Sequence, residues 1–121
     1  MLGVGIDVVD LKRFREVLSR RPKMTEKLFS PRELADMAPR FDPVPGLAAR
    51  FCAKEAFLKA VGMGLFACDL KDIEVAKSFS GAPELCLYNK ALLLANEIGA
   101  ARLDLSVSHS DLVATAIVII S

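Results

Sequence analysis

Six side chains stand where they could handle phosphate or a metal: Asp7, Arg50, Lys54, Glu55, Lys59 and His109. Four of them fall within ten residues. At 100° per residue, Arg50 and Lys54 share one stripe of a helix and Glu55 and Lys59 share another, roughly 140° further round. Almost every other residue from Leu47 to Val61 is apolar or Ala, and a helix apolar nearly all round is a buried helix. Glu and Lys on such a helix need partners. One source is local: Glu55 and Lys59 are spaced for an i,i+4 salt bridge on a solvated face. The other is a ligand, with the carboxylate holding a metal and the cations holding phosphate. Asp7 stands on the same strand face as Gly3 and Gly5, whose missing side chains leave room for something to approach. It could also cap the following helix, although Asp10 is better placed for that. Asp7 and Glu55 together offer two oxygen ligands from different elements, which is how Mg²⁺ is usually held, with water and substrate phosphate completing the octahedron.

His109, the sole histidine, lies between Ser108 and Ser110. It reads either as a hairpin histidine or as a phosphate hydrogen-bonding group. No nucleophile with a neighbouring base is visible. Gly3-x-Gly5 lies within a strand and lacks the third glycine of a dinucleotide fingerprint. Cys52, Cys68 and Cys86 contain no CxxC pair and make no zinc site with one histidine; free thiols in a reducing cytoplasm are expected.

The elements that must position these groups can be read in order. Leu2–Val9 is a Val/Ile-rich strand with Leu2, Val4, Ile6 and Val8 on one face. Asp10 caps a helix from Leu11 to about Arg20. Ser30-Pro31-Arg32-Glu33 is a capping box with Pro at the first helical position, starting a helix to about Ala38. Asp42–Gly46 is expected to be a loop, because two prolines and a glycine interrupt it. The helix Leu47–Val61 ends at Gly62-Met63-Gly64. Strands over Asp72–Phe79 and Glu84–Tyr88 are joined at Ser80–Pro83. A helix from Asn89 to Ile98 stops at Gly99, and strands Arg102–Ser108 and Leu112–Ile120 follow. This order predicts a single α+β domain, a mostly antiparallel sheet packed against one long buried helix.

The chain has 121 residues, 53% of them hydrophobic and 26% charged, with a net charge of +1. The apolar content excludes disorder and leaves a surplus that a subunit interface would absorb. Neither a signal peptide nor a span of about 20 apolar residues is present, so no membrane insertion is expected. A net charge near zero argues against nucleic-acid binding. The sum conceals a separation, however. Lys12–Lys23 carries six basic residues against the single Glu16, a local +5 that leaves −4 for the remainder. Such a patch is either a solvated face or a docking site for one acidic partner.

Several segments together resemble a known family. They are Gly5-Ile6-Asp7-Val8-Val9, Phe29-Ser30-Pro31-Arg32-Glu33-Leu34, Ala49–Ala60 with its Lys54-Glu55-Ala56-x-x-Lys59 core, Gly62-x-Gly64, Asp72-Ile73-Glu74-Val75, Gly81-x-Pro83 and Val107-Ser108-His109-Ser110. Their order and coverage are similar to the holo-acyl-carrier-protein synthases, the short bacterial class of 4′-phosphopantetheinyl transferases. Departures are mild: Cys52 stands where alanine is usual, Met63 where Thr is common, and Ala82 where a basic residue is frequent.

The resemblance implies a 4′-phosphopantetheinyl transferase fold and a cytoplasmic homotrimer with active sites between subunits. It implies transfer of the phosphopantetheine arm of coenzyme A to a serine of apo acyl carrier protein, with release of 3′,5′-ADP, in the service of fatty acid biosynthesis. Asp7 and Glu55 would bind Mg²⁺, Lys59 and Lys54 would contact phosphates, and Arg50 and His109 would lie near the 3′-phosphate, with Gly62 also on the coenzyme. Glu55 is a candidate base and Lys59 a charge-stabilising cation. Arg13, with Arg20 and Arg21, would dock the acidic carrier. Missing protein nucleophiles fit this chemistry, since phosphoryl transfer needs positioning and charge neutralisation. The competing expectation is a non-catalytic oligomer that holds an acidic protein through its basic helix.

Overall fold

The computed structural model describes residues 1–121. In chain order the elements are β1 (Gly3–Asp10), α1 (Leu11–Arg20), α2 (Met24–Leu28), α3 (Pro31–Met37), α4 (Val44–Ala60), a 3-10 turn (Leu70–Asp72), β2 (Ile73–Lys77), β3 (Pro83–Leu87), α5 (Asn89–Glu97), β4 (Leu103–His109) and β5 (Val113–Ile120). The strands form two antiparallel sheets, one in the order β1-β5-β4 and the other a β2-β3 hairpin. Helix α4 lies across the inner face of the larger sheet, and Ala53, Ala56, Phe57, Ala114, Val118 and Ile120 are buried there. The α+β reading therefore stands, with the antiparallel strands divided between two sheets.

Local chemistry explains most boundaries. Asp10 caps α1 by accepting from the Arg13 backbone N–H. The Ser30 capping box is complete: the Ser30 hydroxyl accepts from the Glu33 N–H, and the Glu33 carboxylate accepts from the Ser30 N–H. Helix α4 starts three residues earlier than expected. Val44, Pro45 and Gly46 form its first turn, where a proline loses no hydrogen bond because its N–H would be orphaned anyway. Helix α2 is short, has no side-chain cap and buries no residue completely, so it left no period to read.

The inner face of β1 differs from expectation in an informative way. Gly3 and Gly5 do leave room, but the occupant is α4 itself. A Cβ on Gly3 would collide with the Ala60 carbonyl, and one on Gly5 with the Ala56 carbonyl. Close approach of helix backbone to strand backbone is the reason for both glycines, and it sets the next inward residue, Asp7, against the helix. The outer face carries Val4, Ile6 and Val8, all at least half exposed. They stand beside Ile119, Ile117 and Thr115 of β5.

Candidate functional site

Asp7 is opposite Ala116 in the β1-β5 register, and its backbone carbonyl accepts from the Thr115 hydroxyl at 2.9 Å. Its side chain is 9% exposed and pairs through Oδ1 with Lys59 Nζ at 3.0 Å. Lys59 also donates to the Ile6 carbonyl at 3.0 Å. Lysine 59 therefore reaches across to the strand, and no Glu55–Lys59 bridge forms along the helix. Glu55 lies one turn before Lys59 on α4. Burial, then the neighbouring Asp7 carboxylate, push its carboxyl up to about 7, while Lys59 pulls the other way. Asp7, Glu55 and Lys59 thus meet on one flank of α4.

This flank has room for a cation in its bonding pattern. Asp7 Oδ2 is buried and has no hydrogen-bond partner, which is costly for a carboxylate oxygen unless something positive completes it. No group of three or more His, Cys, Asp or Glu side chains could hold a metal. Two hard carboxylates with every other position left to water and substrate oxygens suit Mg²⁺ rather than zinc. Cys52 lies behind the pair, buried and donating to the Ala114 carbonyl at 3.3 Å. Burial first, then Asp7, push its thiol up to about 12, so it stays protonated. All three cysteines are unpaired.

Beside Glu55 opens a largely apolar cavity of about 920 Å³, bordered by Arg13, Val17, Met24, Phe51 and Phe66 among others. It links the basic helix α1 to Glu55. Arg13, Arg20 and Arg21 are exposed and take part in no salt bridge, whereas Arg15 is engaged with Asp42 at 2.6 Å. Gly62 follows α4 with φ +75° and open space around its Cα, a left-handed exit that favours glycine.

Lys54 does not belong to this site. Its ammonium is wholly buried and donates to Glu33 Oε1 at 2.7 Å, to the Leu70 carbonyl at 2.8 Å and to the Ile73 carbonyl at 2.7 Å. All three donors are used inside the fold, so the expected contact with phosphate is replaced by a structural one. The sequence signal was sound (a charge on a buried helix needs a partner), but the partner came from α3.

Arg50 lies on the opposite flank of α4 from Glu55. It is buried, with Nη1 donating to the Gly46 carbonyl at 3.3 Å and lying 3.5 Å from Met37 Sδ. It lines a second cavity, together with Val107. His109, two residues further on the same face of β4, is exposed at the strand end. The structure therefore gathers Asp7, Glu55 and Lys59 in one place and sets Arg50 and the β4 end in another. Lys77, at the end of β2 and on the second cavity, was not singled out from sequence, because nothing local distinguishes it from a solvated strand-end lysine.

No helix is long and apolar enough to cross a membrane. Comparison with known proteins gives a consistent result. The family described as the 4′-phosphopantetheinyl transferase superfamily matches residues 3–116. A holo-[acyl-carrier-protein] synthase from Treponema denticola is 43% identical over 121 residues, covering 99% of this chain and 98% of that one. The crystal structure of holo-[acyl-carrier-protein] synthase from Neisseria meningitidis superposes with a TM-score of 0.91 at 32% identity, over 100% of this chain and 98% of that one. The Helicobacter pylori holo-[acyl-carrier-protein] synthase in complex with coenzyme A gives 0.84 at 28% identity, over 98% and 99% of the two chains.

Proposed function

The chain belongs to the 4′-phosphopantetheinyl transferase superfamily and is a phosphopantetheinyl transferase, and from that premise we propose that it loads apo acyl carrier protein from coenzyme A. The carrier's serine oxygen attacks the phosphorus that bears the pantetheine arm. The P–O–P linkage breaks, 3′,5′-ADP leaves, and the serine proton passes to Glu55. Lys59, half exposed beside Asp7, neutralises charge on the departing phosphate. Asp7 and Glu55 would hold Mg²⁺, which would supply charge neutralisation on the diphosphate. Gly62 lets the chain turn away at the end of α4, next to that diphosphate.

The observation that carries this reading is the convergence of Asp7, Glu55 and Lys59 on one flank of α4, with Glu55 also lining a cavity that Arg13 borders. The carrier is acidic in this reading and docks on Arg13, Arg20 and Arg21, with its serine directed at Glu55. Arg50 and His109 take the adenosine end. They lie on the other flank of α4, and in this reading a second copy of the chain supplies one of the two groups to each donor molecule. A homotrimer built on the outer face of β1 and β5 supplies that copy, in the cytoplasm and in the service of fatty acid biosynthesis.

The test is direct. The protein is mixed with coenzyme A, Mg²⁺ and apo carrier, and the carrier is weighed by mass spectrometry. A gain of one phosphopantetheine is expected. Folded protein that binds carrier without any gain would leave only a non-catalytic binding module.

A further inference from the structure

The two oxygens of the Asp7 carboxylate are in different states. Oδ1 is held by Lys59 Nζ at 3.0 Å, while Oδ2 is buried and has no partner. An ammonium has three donors, and Lys59 uses one on Oδ1 and a second on the Ile6 carbonyl at 3.0 Å. The two side chains also differ in how firmly they are placed. The Asp7 side chain is 9% exposed, on a strand that Gly3 and Gly5 press against α4. The Lys59 side chain is 53% exposed and stands next to the last residue of α4. An ion pair with one partner this open to water contributes little and breaks at little cost. The carboxylate is therefore fixed and its ammonium is free to leave.

Lys59 occupies the place of a counter-ion beside two carboxylates, since Glu55 lies close enough to feel the charge of Asp7. A divalent cation on Oδ2 and an ammonium on Oδ1 of the same carboxylate repel each other, so the two occupants compete. We propose that Lys59 is a placeholder as well as a phosphate contact: it holds Asp7 in the free chain, a divalent cation displaces it, and the released ammonium turns to an anionic group of the donor. One lysine then couples metal binding to donor binding, and the coupling acts equally in both directions. The donor half of this inference rests on the proposed use of coenzyme A; the exchange at Asp7 needs only the metal.

Calorimetric titration of the full chain with Mg²⁺ alone tests the exchange without any transfer step. Lys59→Met, which has no ammonium to displace, binds Mg²⁺ about fivefold more tightly than the wild type. Lys59→Arg keeps a cation on Asp7 and stays within twofold of the wild type. In the wild-type chain the Lys59 Cε resonance, assigned by its loss in Lys59→Arg, moves to the position of a free lysine as Mg²⁺ is added. An Mg²⁺ affinity equal to or below the wild type in Lys59→Met, or a Lys59 resonance unmoved at Mg²⁺ saturation, overturns the proposal. With coenzyme A present and no carrier, Mg²⁺ tightens coenzyme A binding more in the wild type than in Lys59→Met. A chain that shows the exchange yet loads no carrier keeps the placeholder and removes the transferase reading. One that loads carrier while Lys59 stays on Asp7 does the reverse.

Discussion

The Lys54 ammonium sits 2.7 Å from the Glu33 carboxylate, 21 residues earlier in the chain, and neither side chain touches water. Glu33 also accepts from the Ser30 and Val75 backbone N–H groups. One ion pair therefore ties the start of α3 to the middle of α4, and through the Leu70 and Ile73 carbonyls to the segment entering β2. Burial pulls the Lys54 ammonium below its usual range, while Glu33 raises it again.

Lys54→Met leaves Glu33 buried without its cation. Removing one partner of such a pair costs about 3–5 kcal/mol. Urea unfolding should show that loss, while the affinity of the remaining folded protein for 3′,5′-ADP stays at the wild-type value. A stable Lys54→Met protein that no longer binds the nucleotide would return Lys54 to the phosphate site.

Gly5→Ala places a methyl group on the Ala56 carbonyl. Backbone cannot swing aside as a side chain can, so α4 must lift from the sheet, at a cost of about 1–3 kcal/mol or more. Asp7 and Glu55 would separate as it does. A lowered denaturation midpoint together with weaker Mg²⁺ binding is expected, and an unchanged midpoint would mean that the helix does not rest on this strand.

The parts legible in the sequence were those encoded locally. The Ser30 capping box, the Asp10 cap, the Val/Ile strand and the all-round apolar helix each follow from neighbouring residues, and the structure has all four. What escaped depended on contacts distant in sequence. Gly3 and Gly5 look the same whether they make way for a ligand or for a helix. Lys54 finds Glu33 only once α3 meets α4.

Arg13→Glu tests the docking face. Arg13 is exposed on the wall of the large cavity, on the α1 face that carries the local basic excess. Reversing its charge should raise the KM for the acidic carrier at low salt and leave the KM for coenzyme A within twofold. The difference should shrink at high salt, where such attractions are screened. Equal effects on both substrates would place Arg13 outside the docking surface.

The Glu55 carboxyl sits at about 7 in the fold against an ordinary 4.5. Between those values the unfolded chain has lost a proton that the folded chain keeps, so this group's contribution to stability falls as pH rises through that window. Above it, the ionised carboxylate beside Asp7 favours a bound cation. Mg²⁺ should therefore raise the melting temperature more at pH 8 than at pH 6, and Glu55→Gln should flatten both the pH dependence and the Mg²⁺ effect. The same Mg²⁺ response at both pH values in the wild type would remove Glu55 from the cation site.

Ile6 is 62% exposed on the outer face of β1, between Val4 and Val8 and beside Ile117 of β5. An apolar row of this kind is costly to leave in water and suits a subunit interface. Light scattering of the wild type should give three times the 13.1 kDa chain mass, and Ile6→Asp should give a folded monomer that no longer loads carrier. The loss would follow from the shared site proposed above, in which Glu55 of one protomer and Arg50 of another serve one donor. A complementation experiment separates that cause from simple damage. Glu55→Gln and Arg50→Met are each expected to be inactive alone. Mixed trimers contain some interfaces where an intact Glu55 from one protomer faces an intact Arg50 from another, so partial activity should return on co-expression. Mixed trimers confirmed by mass and still inactive would show that each protomer works alone.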